Sequence, residues 1–282
     1  MTPARVWWLA ARPATLAASV SPVLVGTSVA VQQGGARWLP SLAALVVALA
    51  MQVGVNYAND YSDFQRGADT PRRRGPVRAA ASGLVRPAAV RTAALAAFGV
   101  AAAVGLVLSL AVDWRLLIVG VLAVAAGWLY TGGPRPYGYL GLGEVFVFVF
   151  FGLFATCGTV YVESLRVGPT AWAGGVATGC LACAILVLNN LRDVETDLVA
   201  GKRTLAVRLG PERTRVLLAA LLAVAFAAGL AARGLPLLAS PLALYVWRLS
   251  GSYEAPVLVG ALKRCAELEV WFALLWTLGV LA

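Results

Sequence analysis

Long apolar segments separated by short polar stretches run along the whole chain. About 20 apolar residues in a helix span the hydrocarbon core of a bilayer, whereas a barrel strand needs roughly 10. The segments are rich in Ala, Leu and Val and exceed the strand length, so the pattern predicts an all-α integral membrane protein. It predicts about nine transmembrane helices in one bundle around a central cavity, near residues 14–32, 39–62, 92–112, 115–130, 142–162, 171–193, 214–232, 235–249 and 268–282.

Composition agrees with a bilayer as the solvent. Of 282 residues, 60% are hydrophobic and 13% charged, against about 25% charged in an average soluble domain. No linker interrupts the pattern, so residues 1–282 are predicted to form a single transmembrane domain. Arg5 and Arg12 precede the first apolar segment and eight more segments follow, which favours a retained first span over a cleaved signal peptide.

The formal net charge of +10 is distributed unevenly between the loops. If the N-terminus is cytoplasmic and nine spans alternate, 19 of the 23 Lys and Arg residues fall on the cytoplasmic side. Cytoplasmic loops of membrane proteins carry such an excess. The charge therefore predicts topology in the cell's inner (plasma) membrane rather than nucleic-acid binding. The residues on the opposite side are Arg37, Arg115, Arg166 and Arg233.

Two clusters of Asn and Asp lie at the ends of predicted helices, Asn56–Asp63 and Asn189–Asp197. At about 100° per residue, each cluster occupies one helix face within roughly 60° to 80°. The second cluster follows the first at an offset of 133 residues, and a basic loop follows each. This indicates an internal repeat of two four-helix units plus a ninth helix, with the two Asp-rich helices facing each other.

The chemistry of these clusters points to a bound cation. Asp60, Asp63, Asp193 and Asp197 would repel one another in one cavity unless a cation compensated their charge. Ionisable groups within membrane helices normally face a cavity or pathway, although solvated helix ends are the alternative for any single Asp. The chain has no His, and ligand sets made only of oxygen atoms suit Mg²⁺.

Magnesium bound by carboxylates usually also binds substrate phosphates, so a diphosphate between the two helices is predicted. Basic side chains after each cluster could pair with the phosphate oxygens, although each could equally be a topological charge. The best placed is Lys202, and the others are Arg203 and Arg72 with its neighbours Arg73 and Arg74. A diphosphate on a long isoprenoid would leave an allylic cation, which Tyr rings could stabilise.

Cys180 and Cys183 form a CxxC pair inside an apolar helix, where small buried residues are a better interpretation than a redox or metal site. The glycine-rich segment Gly138–Gly143 has no βαβ context and is not a nucleotide motif. A tight loop with close helix packing is one interpretation of it. The other is a surface that contacts an acceptor substrate, with Tyr137, Tyr139 or Glu144 as contacts.

These motifs resemble those of the UbiA-type membrane prenyltransferases. The run Asn-Tyr-Ala-Asn-Asp-Tyr-Ser-Asp at 56–63 resembles the family's first Asp-rich motif, and the run 189–197 with 200–210 after it resembles the second. The segments Arg-Pro-Ala-Thr-Leu at 12–16, Ala-Ser-Gly-Leu at 81–84 and 130–144 are similar to the family branch that prenylates 1,4-dihydroxy-2-naphthoate.

The resemblance implies that a polyprenyl diphosphate alkylates 1,4-dihydroxy-2-naphthoate, which loses its carboxylate, giving demethylmenaquinone in a Mg²⁺-dependent reaction. It implies a cavity open sideways to the lipid bilayer. The spacing from Asp63 to Asp69 departs from hydroxybenzoate-type relatives, so Asp69 stays outside the ligand set. The implied metal–diphosphate positions are Asn56, Asp60, Asp63, Asn189, Asp193 and Asp197, with Asn59 and Lys202 as further diphosphate contacts.

Two alternatives stay open at this stage. Within the same enzyme class, the acceptor could be 4-hydroxybenzoate or homogentisate. From a different class, an ion-coupled transporter also combines internal repeats with acids inside the membrane. The polar groups here cluster at one side of the bilayer rather than at its midplane, which favours the enzyme.

Overall fold

The computed structural model describes residues 3–67 and 78–282, and within those ranges every regular element is a helix. A π-helical segment, Phe148–Phe154, joins the α-helix Gly143–Val147 to the α-helix Ala155–Ser164, so that Gly143–Ser164 forms one span. The α-helices are α1 (Pro3–Ala10), α2 (Ala17–Gln32), α3 (Trp38–Gln65), α4 (Pro87–Ala111), α5 (Leu116–Leu129), α6 (Gly143–Val147), α7 (Ala155–Ser164), α8 (Pro169–Val199), α9 (Leu205–Ala228), α10 (Ser240–Leu249) and α11 (Ala255–Leu281).

The predicted all-helical membrane architecture is confirmed, but the count of nine spans is not. Each predicted segment falls within helical structure. Within the described residues, five helices are long and apolar enough to cross a membrane, and α1 with α2 would form a sixth as a pair bent by 50°. Helix α5 and the region Leu235–Leu249 are apolar but shorter than a full span.

The bend between α1 and α2, at the start of the first predicted span, has a local cause. Pro13 has no N–H and disfavours helical backbone in the residue before it. Arg12 accordingly adopts a left-handed conformation at φ 54°, between α1 and a short 3₁₀ turn at Pro13–Thr15. The Asn56 side-chain amide donates to the Ala11 carbonyl oxygen at 2.8 Å and to Thr15 Oγ1 at 3.0 Å. The first Asn/Asp cluster therefore fixes this break against α3.

Helix α8 is the centre of the bundle. In its most apolar window 78% of residues are buried, against 11% in α3, whose apolar residues Ala44, Val47 and Met51 line the cavity instead. Gly174 approaches Val25 of α2, and Gly175 and Gly179 approach the π-helical segment. Small residues allow such close helix contact inside a membrane. Cys180 and Cys183 are buried free thiols in this helix, as the interpretation of small packed residues predicted.

Candidate active site

A cavity of about 830 Å³ lies between the two Asp-rich helices and extends along the bundle. Polar groups line one end, and Ala, Val, Leu and Phe side chains line the rest. The predicted central cavity and the facing Asp-rich helices are thus present. The polar lining includes Arg12, Thr15, Gln52, Asn56, Asn59, Asp63, Arg78, Asn189, Asn190, Asp193, Asp197 and Lys202.

Asp63 is the point where the two halves of the site meet. Its Oδ1 lies 2.8 Å from Lys202 Nζ and accepts a hydrogen bond from the Tyr139 hydroxyl at 2.8 Å. Its Oδ2 lies 3.3 Å from an Arg78 guanidinium nitrogen. Lys202 also lies over the Tyr139 ring, 4.8 Å from its centroid. Because Lys202 follows α8 and Asp63 is on α3, these contacts close the polar end of the cavity.

Asp193 on α8 has a different partner. Arg192 donates to both of its carboxylate oxygens, from Nε at 2.8 Å and from a terminal nitrogen at 2.6 Å. The same terminal group donates to Asn189 Oδ1 at 2.9 Å. Asp193 is 6% exposed, and Asp197 lies one turn further along and also lines the cavity. The second cluster therefore presents two carboxylates and the amides of Asn189 and Asn190 to the cavity.

Asp60 is placed differently from the other three acids. It is 1% exposed and is not among the residues that line the cavity. Its carboxylate accepts hydrogen bonds from the Ala79 N–H at 2.8 Å and the Ala80 N–H at 3.3 Å. In this arrangement Asp60 anchors the turn before α4 to α3. Its predicted role as a metal ligand stays a prediction.

The remaining polar residues of α3 are held by neutral hydrogen bonds. Asn59 Oδ1 accepts from the Thr131 hydroxyl at 2.8 Å. Asn56 Oδ1 accepts from the Gln52 amide at 3.3 Å, in addition to its own contacts with the break near Arg12. Both Asn residues line the cavity. The two Asn side chains are neutral parts of the polar end, and the carboxylates are its negatively charged hydrogen-bond acceptors.

The predicted acceptor residues lie on the segment between α5 and α6. Tyr137 stacks on Phe146 at a centroid distance of 4.0 Å, and its hydroxyl donates to the Ala126 carbonyl oxygen at 2.9 Å. Tyr137 and Tyr139 both line the cavity. Burial raises the pKa of both phenols above the ordinary value, and for Tyr139 the neighbouring Asp63 charge adds to the effect. Both hydroxyls are therefore neutral donors near pH 7.

Glu144 is buried behind this segment rather than in the cavity lining. Its Oε1 accepts a hydrogen bond from Asn190 at 3.0 Å, and Asn190 itself lines the cavity. Of the two interpretations of Gly138–Gly143, close packing is directly visible, because a Cβ on Gly138 would meet the Tyr130 carbonyl oxygen at 2.7 Å. Glu144 thus orients a lining residue.

The basic residues after each cluster differ in placement. Lys202 lines the cavity, whereas Arg203 is exposed and meets the site through its backbone N–H, which donates to the Tyr139 carbonyl oxygen at 3.0 Å. Arg72, together with Asp69, Arg73 and Arg74, lies outside the described residues. Of the two basic candidates within the described residues, Lys202 and Arg203, it is Lys202 whose side chain contacts an Asp of the site.

Two cations of the cavity lining had no predicted role in the site. Arg78 had been counted only as a topological charge of the first basic loop, and Arg12 as an N-terminal one. The signal for Arg12 was its position before Pro13, which forces the helix break that turns this residue toward the cavity. Arg78 gave no sequence signal that separates it from the other Arg residues nearby.

The donor set fits a magnesium–diphosphate complex better than a metal ion held by protein alone. Among residues 3–67 and 78–282, no group of three or more acidic, His or Cys side chains converges as a metal site. Mg²⁺ is commonly held by one or two carboxylates together with substrate phosphates and waters. Asp63, Asp193 and Asp197 supply such carboxylates, and the cationic partners Lys202 and Arg78 are within reach of the same space.

Comparison with known families gives a match over most of the chain. The model of the UbiA prenyltransferase family matches residues 19–278. A 1,4-dihydroxy-2-naphthoate octaprenyltransferase of Mycobacterium tuberculosis is 52% identical over 219 residues, covering 78% of this chain and 75% of the relative. The enzyme of the same name from Bacillus subtilis is 31% identical over 287 residues, covering 98% and 92%.

Solved structures share the fold at low identity. A UbiA homolog from Aeropyrum pernix in its apo form has a TM-score of 0.70 at 15% identity, covering 94% of this chain and 96% of the other. A UbiA homolog from Archaeoglobus fulgidus bound to DMAPP and Mg²⁺ has a TM-score of 0.62 at 16% identity, covering 98% and 99%. The helical bundle and its cavity therefore belong to a known membrane fold.

Proposed function

The chain belongs to the UbiA prenyltransferase family, and from this we propose that it transfers a polyprenyl group from polyprenyl diphosphate to 1,4-dihydroxy-2-naphthoate. The relatives with that acceptor in their names, at up to 52% identity, support this choice over 4-hydroxybenzoate or homogentisate. The single observation that carries the proposal is the cavity itself. It combines a carboxylate-lined polar end with a long apolar remainder, as an amphipathic donor requires.

We place the donor's diphosphate at the polar end. Mg²⁺ bound there would neutralise the diphosphate and make it a better leaving group. Asp63, Asp193 and Asp197, with Asn56 and Asn189, are the proposed ligands. Lys202 and Arg78 now contact Asp63 and would turn to the phosphate oxygens as these arrive, because charge-assisted hydrogen bonds to phosphate are strong.

The reaction breaks the C–O bond between the allylic carbon and the diphosphate. A ring carbon of the naphthoate forms the new C–C bond, and the carboxylate leaves as carbon dioxide, which gives demethylmenaquinone in its quinol form. Tyr137 and Tyr139 line the cavity, and Tyr139 donates to Asp63, so their rings are placed to face a positive charge developing at the allylic carbon. The apolar remainder of the cavity excludes water from that cation.

We further propose that the protein resides in the cell's inner (plasma) membrane with its N-terminus and the two basic loops in the cytoplasm. The chain is a multi-pass membrane protein with several apolar helices. The excess of Lys and Arg in the loops beside the polar end supports this orientation. A water-soluble naphthoate would then reach the polar end directly, and the prenyl donor would enter from the bilayer.

One experiment tests the proposal against its alternatives. Purified protein in lipid is given Mg²⁺, a labelled polyprenyl diphosphate and equal amounts of the three acceptors, and product masses are measured. The expected product is prenylated, decarboxylated naphthoate, with stoichiometric diphosphate and carbon dioxide. A product built on another acceptor would correct the substrate, and absence of any prenylated product with release of ions across vesicles would overturn the enzyme assignment.

A further inference from the structure

The span Gly143–Ser164 lines the cavity with an unusual spacing. The residues of this span that line the cavity come in neighbouring pairs, and each pair lies four positions after the previous one. The first pair is Phe146 and Val147, and the last lining residue is Val162. One member of each pair forms the series Phe146, Phe150, Phe154 and Gly158. One face of a single helix is thus in contact with the cavity from Phe146 to Val162, a stretch of 17 residues.

A regular α-helix could not keep that spacing on one face. At about 100° per residue, the 16 steps from Phe146 to Val162 turn the helix face by a net of roughly 160°. The seven residues of Phe148–Phe154 are π-helical, and with bonds from i to i+5 each turns by roughly 80°, which reduces the net turn to about 20°. The π segment therefore keeps the helix face on the cavity from one end of the span to the other.

Close packing against α8 accompanies the π segment. Gly152 contacts the backbone of Gly175 and Gly179, and a Cβ added to Gly152 would meet the Gly175 carbonyl oxygen at 2.7 Å. A Cβ on Gly179 would meet the Phe148 carbonyl oxygen at 3.0 Å. A π segment is rare and needs such tertiary contacts to persist. The wider π turn thus packs against α8 at Gly175 and Gly179, where no side chain separates the two backbones.

The result is a continuous column of aromatic rings that starts at Tyr137, in the same short 3₁₀ segment as the Tyr139 that contacts Asp63. Tyr137 stacks on Phe146 at 4.0 Å between centroids, Phe146 on Phe150 at 6.2 Å, and Phe150 lies 5.4 Å from Phe154. All four rings line the cavity. The Phe154 ring is therefore at the opposite end of the column from Tyr137.

We propose that this π segment aligns Phe146, Phe150 and Phe154 as the binding surface for the donor's polyprenyl tail, and that Phe154 determines preference for long tails. The inference rests on the proposed function, because it assigns the apolar part of that same cavity. A tail of two isoprene units that begins at the diphosphate ends before Phe154. A tail of eight units passes it and buries apolar surface on its ring.

The test compares tail lengths in the Phe154→Ala enzyme. Burial of about 60 Å² of apolar surface on one ring corresponds to roughly a tenfold change in affinity. We therefore expect kcat/KM for octaprenyl diphosphate to fall about tenfold while kcat/KM for geranyl diphosphate stays within twofold. Inhibition by octaprenol, which lacks the diphosphate, should weaken by the same factor. Phe154→Leu should recover part of the loss.

The control is Trp172→Ala, which removes an exposed aromatic ring of α8 outside the cavity. This variant should change neither kcat/KM for octaprenyl diphosphate nor kcat/KM for geranyl diphosphate. The tail assignment is wrong if Phe154→Ala lowers kcat/KM for octaprenyl and geranyl diphosphate equally. It is also wrong if both kcat/KM values and the inhibition by octaprenol stay unchanged. In either case the proposed function stands. If the unaltered protein fails to prenylate the naphthoate with either octaprenyl or geranyl diphosphate, the proposed function itself is wrong.

Discussion

Lys202 offers the sharpest test of the polar end, because it is the basic residue that joins the loop after α8 to the carboxylate of α3. Its Nζ lies 2.8 Å from Asp63 Oδ1, and the side chain is 11% exposed. The change Lys202→Ala removes this charge. Asp63 keeps the Tyr139 hydroxyl at 2.8 Å and Arg78 at 3.3 Å, so the polar end should stay folded.

The expected loss of donor affinity follows from the contacts that Lys202 makes without and with bound diphosphate. At an effective dielectric constant of about 20, two charges at this separation attract by roughly 6 kcal/mol before desolvation is counted. After desolvation, a hydrogen bond to a charged group contributes about 1.5–3 kcal/mol. If Lys202 moves from Asp63 to the phosphate oxygens, its removal should weaken donor binding by roughly 10- to 150-fold. Acceptor binding should change much less.

The assay measures initial rates with one substrate varied at saturating levels of the other. We expect the KM for polyprenyl diphosphate to rise in Lys202→Ala, with the naphthoate KM within twofold and partial recovery in Lys202→Arg. The matched control is Lys263→Ala, since Lys263 is the chain's other lysine and is exposed on α11 outside the cavity. Equal increases in both KM values, or none in either, would refute the diphosphate role.

Three further predictions concern other buried charges. Asp63→Asn should raise the Mg²⁺ concentration for half-maximal activity about tenfold or more, whereas Asp60→Asn should chiefly lower Tm, because Asp60 holds Ala79 and Ala80; an equal Mg²⁺ effect in both variants would place Asp60 among the ligands. Arg12→Gln should raise the KM for the carboxylate-bearing naphthoate more than that for the donor, because Arg12 lines the cavity and offers a guanidinium to the naphthoate carboxylate; a larger donor effect would contradict this. Glu269→Met should raise Tm in detergent by about 2–4 °C with unchanged activity, because both Glu269 carboxylate oxygens are buried without a hydrogen-bond partner among the described residues; a lower Tm would show that the carboxyl has a stabilising contact.

The repeat of Asn and Asp at an offset of 133 residues predicted two polar helix faces around one cavity, and both faces line the cavity of the structure. Helical periodicity alone puts Asn56 and Asp63 on one face of α3, and the apolar sequence around them requires a cavity. Local spacing and solvent preference decide these features, so they are visible in one dimension. The sequence puts Lys202 just after the second cluster, but its contact with Asp63 of the first cluster is visible only in the structure.

Periodicity could not separate Asp60 from Asp63, although the two lie on the same helix face within one turn. Which of them meets the cavity depends on the turn at Ala79 and Ala80, whose backbone N–H groups bind the Asp60 carboxylate. The count of nine spans is not confirmed, because α5 and the region Leu235–Leu249 are apolar but shorter than a full span. Pro13 signals a break in the chain, but only the contacts of Asn56 with Ala11 and Thr15 decide how the chain continues after it.

The chain's order of residues thus determined the class of fold and the two polar helix faces, because both follow from local periodicity and from the cost of polar groups in a bilayer. The magnesium–diphosphate ligand stays a prediction. The tertiary structure alone decided which carboxylate faces the cavity and which cations, Arg12 and Arg78, join it. It also decided that Phe146, Phe150 and Phe154 form one column, because the π turn that aligns them packs against Gly175 and Gly179 of a distant helix. Contacts between residues far apart in the chain have no signal in local sequence.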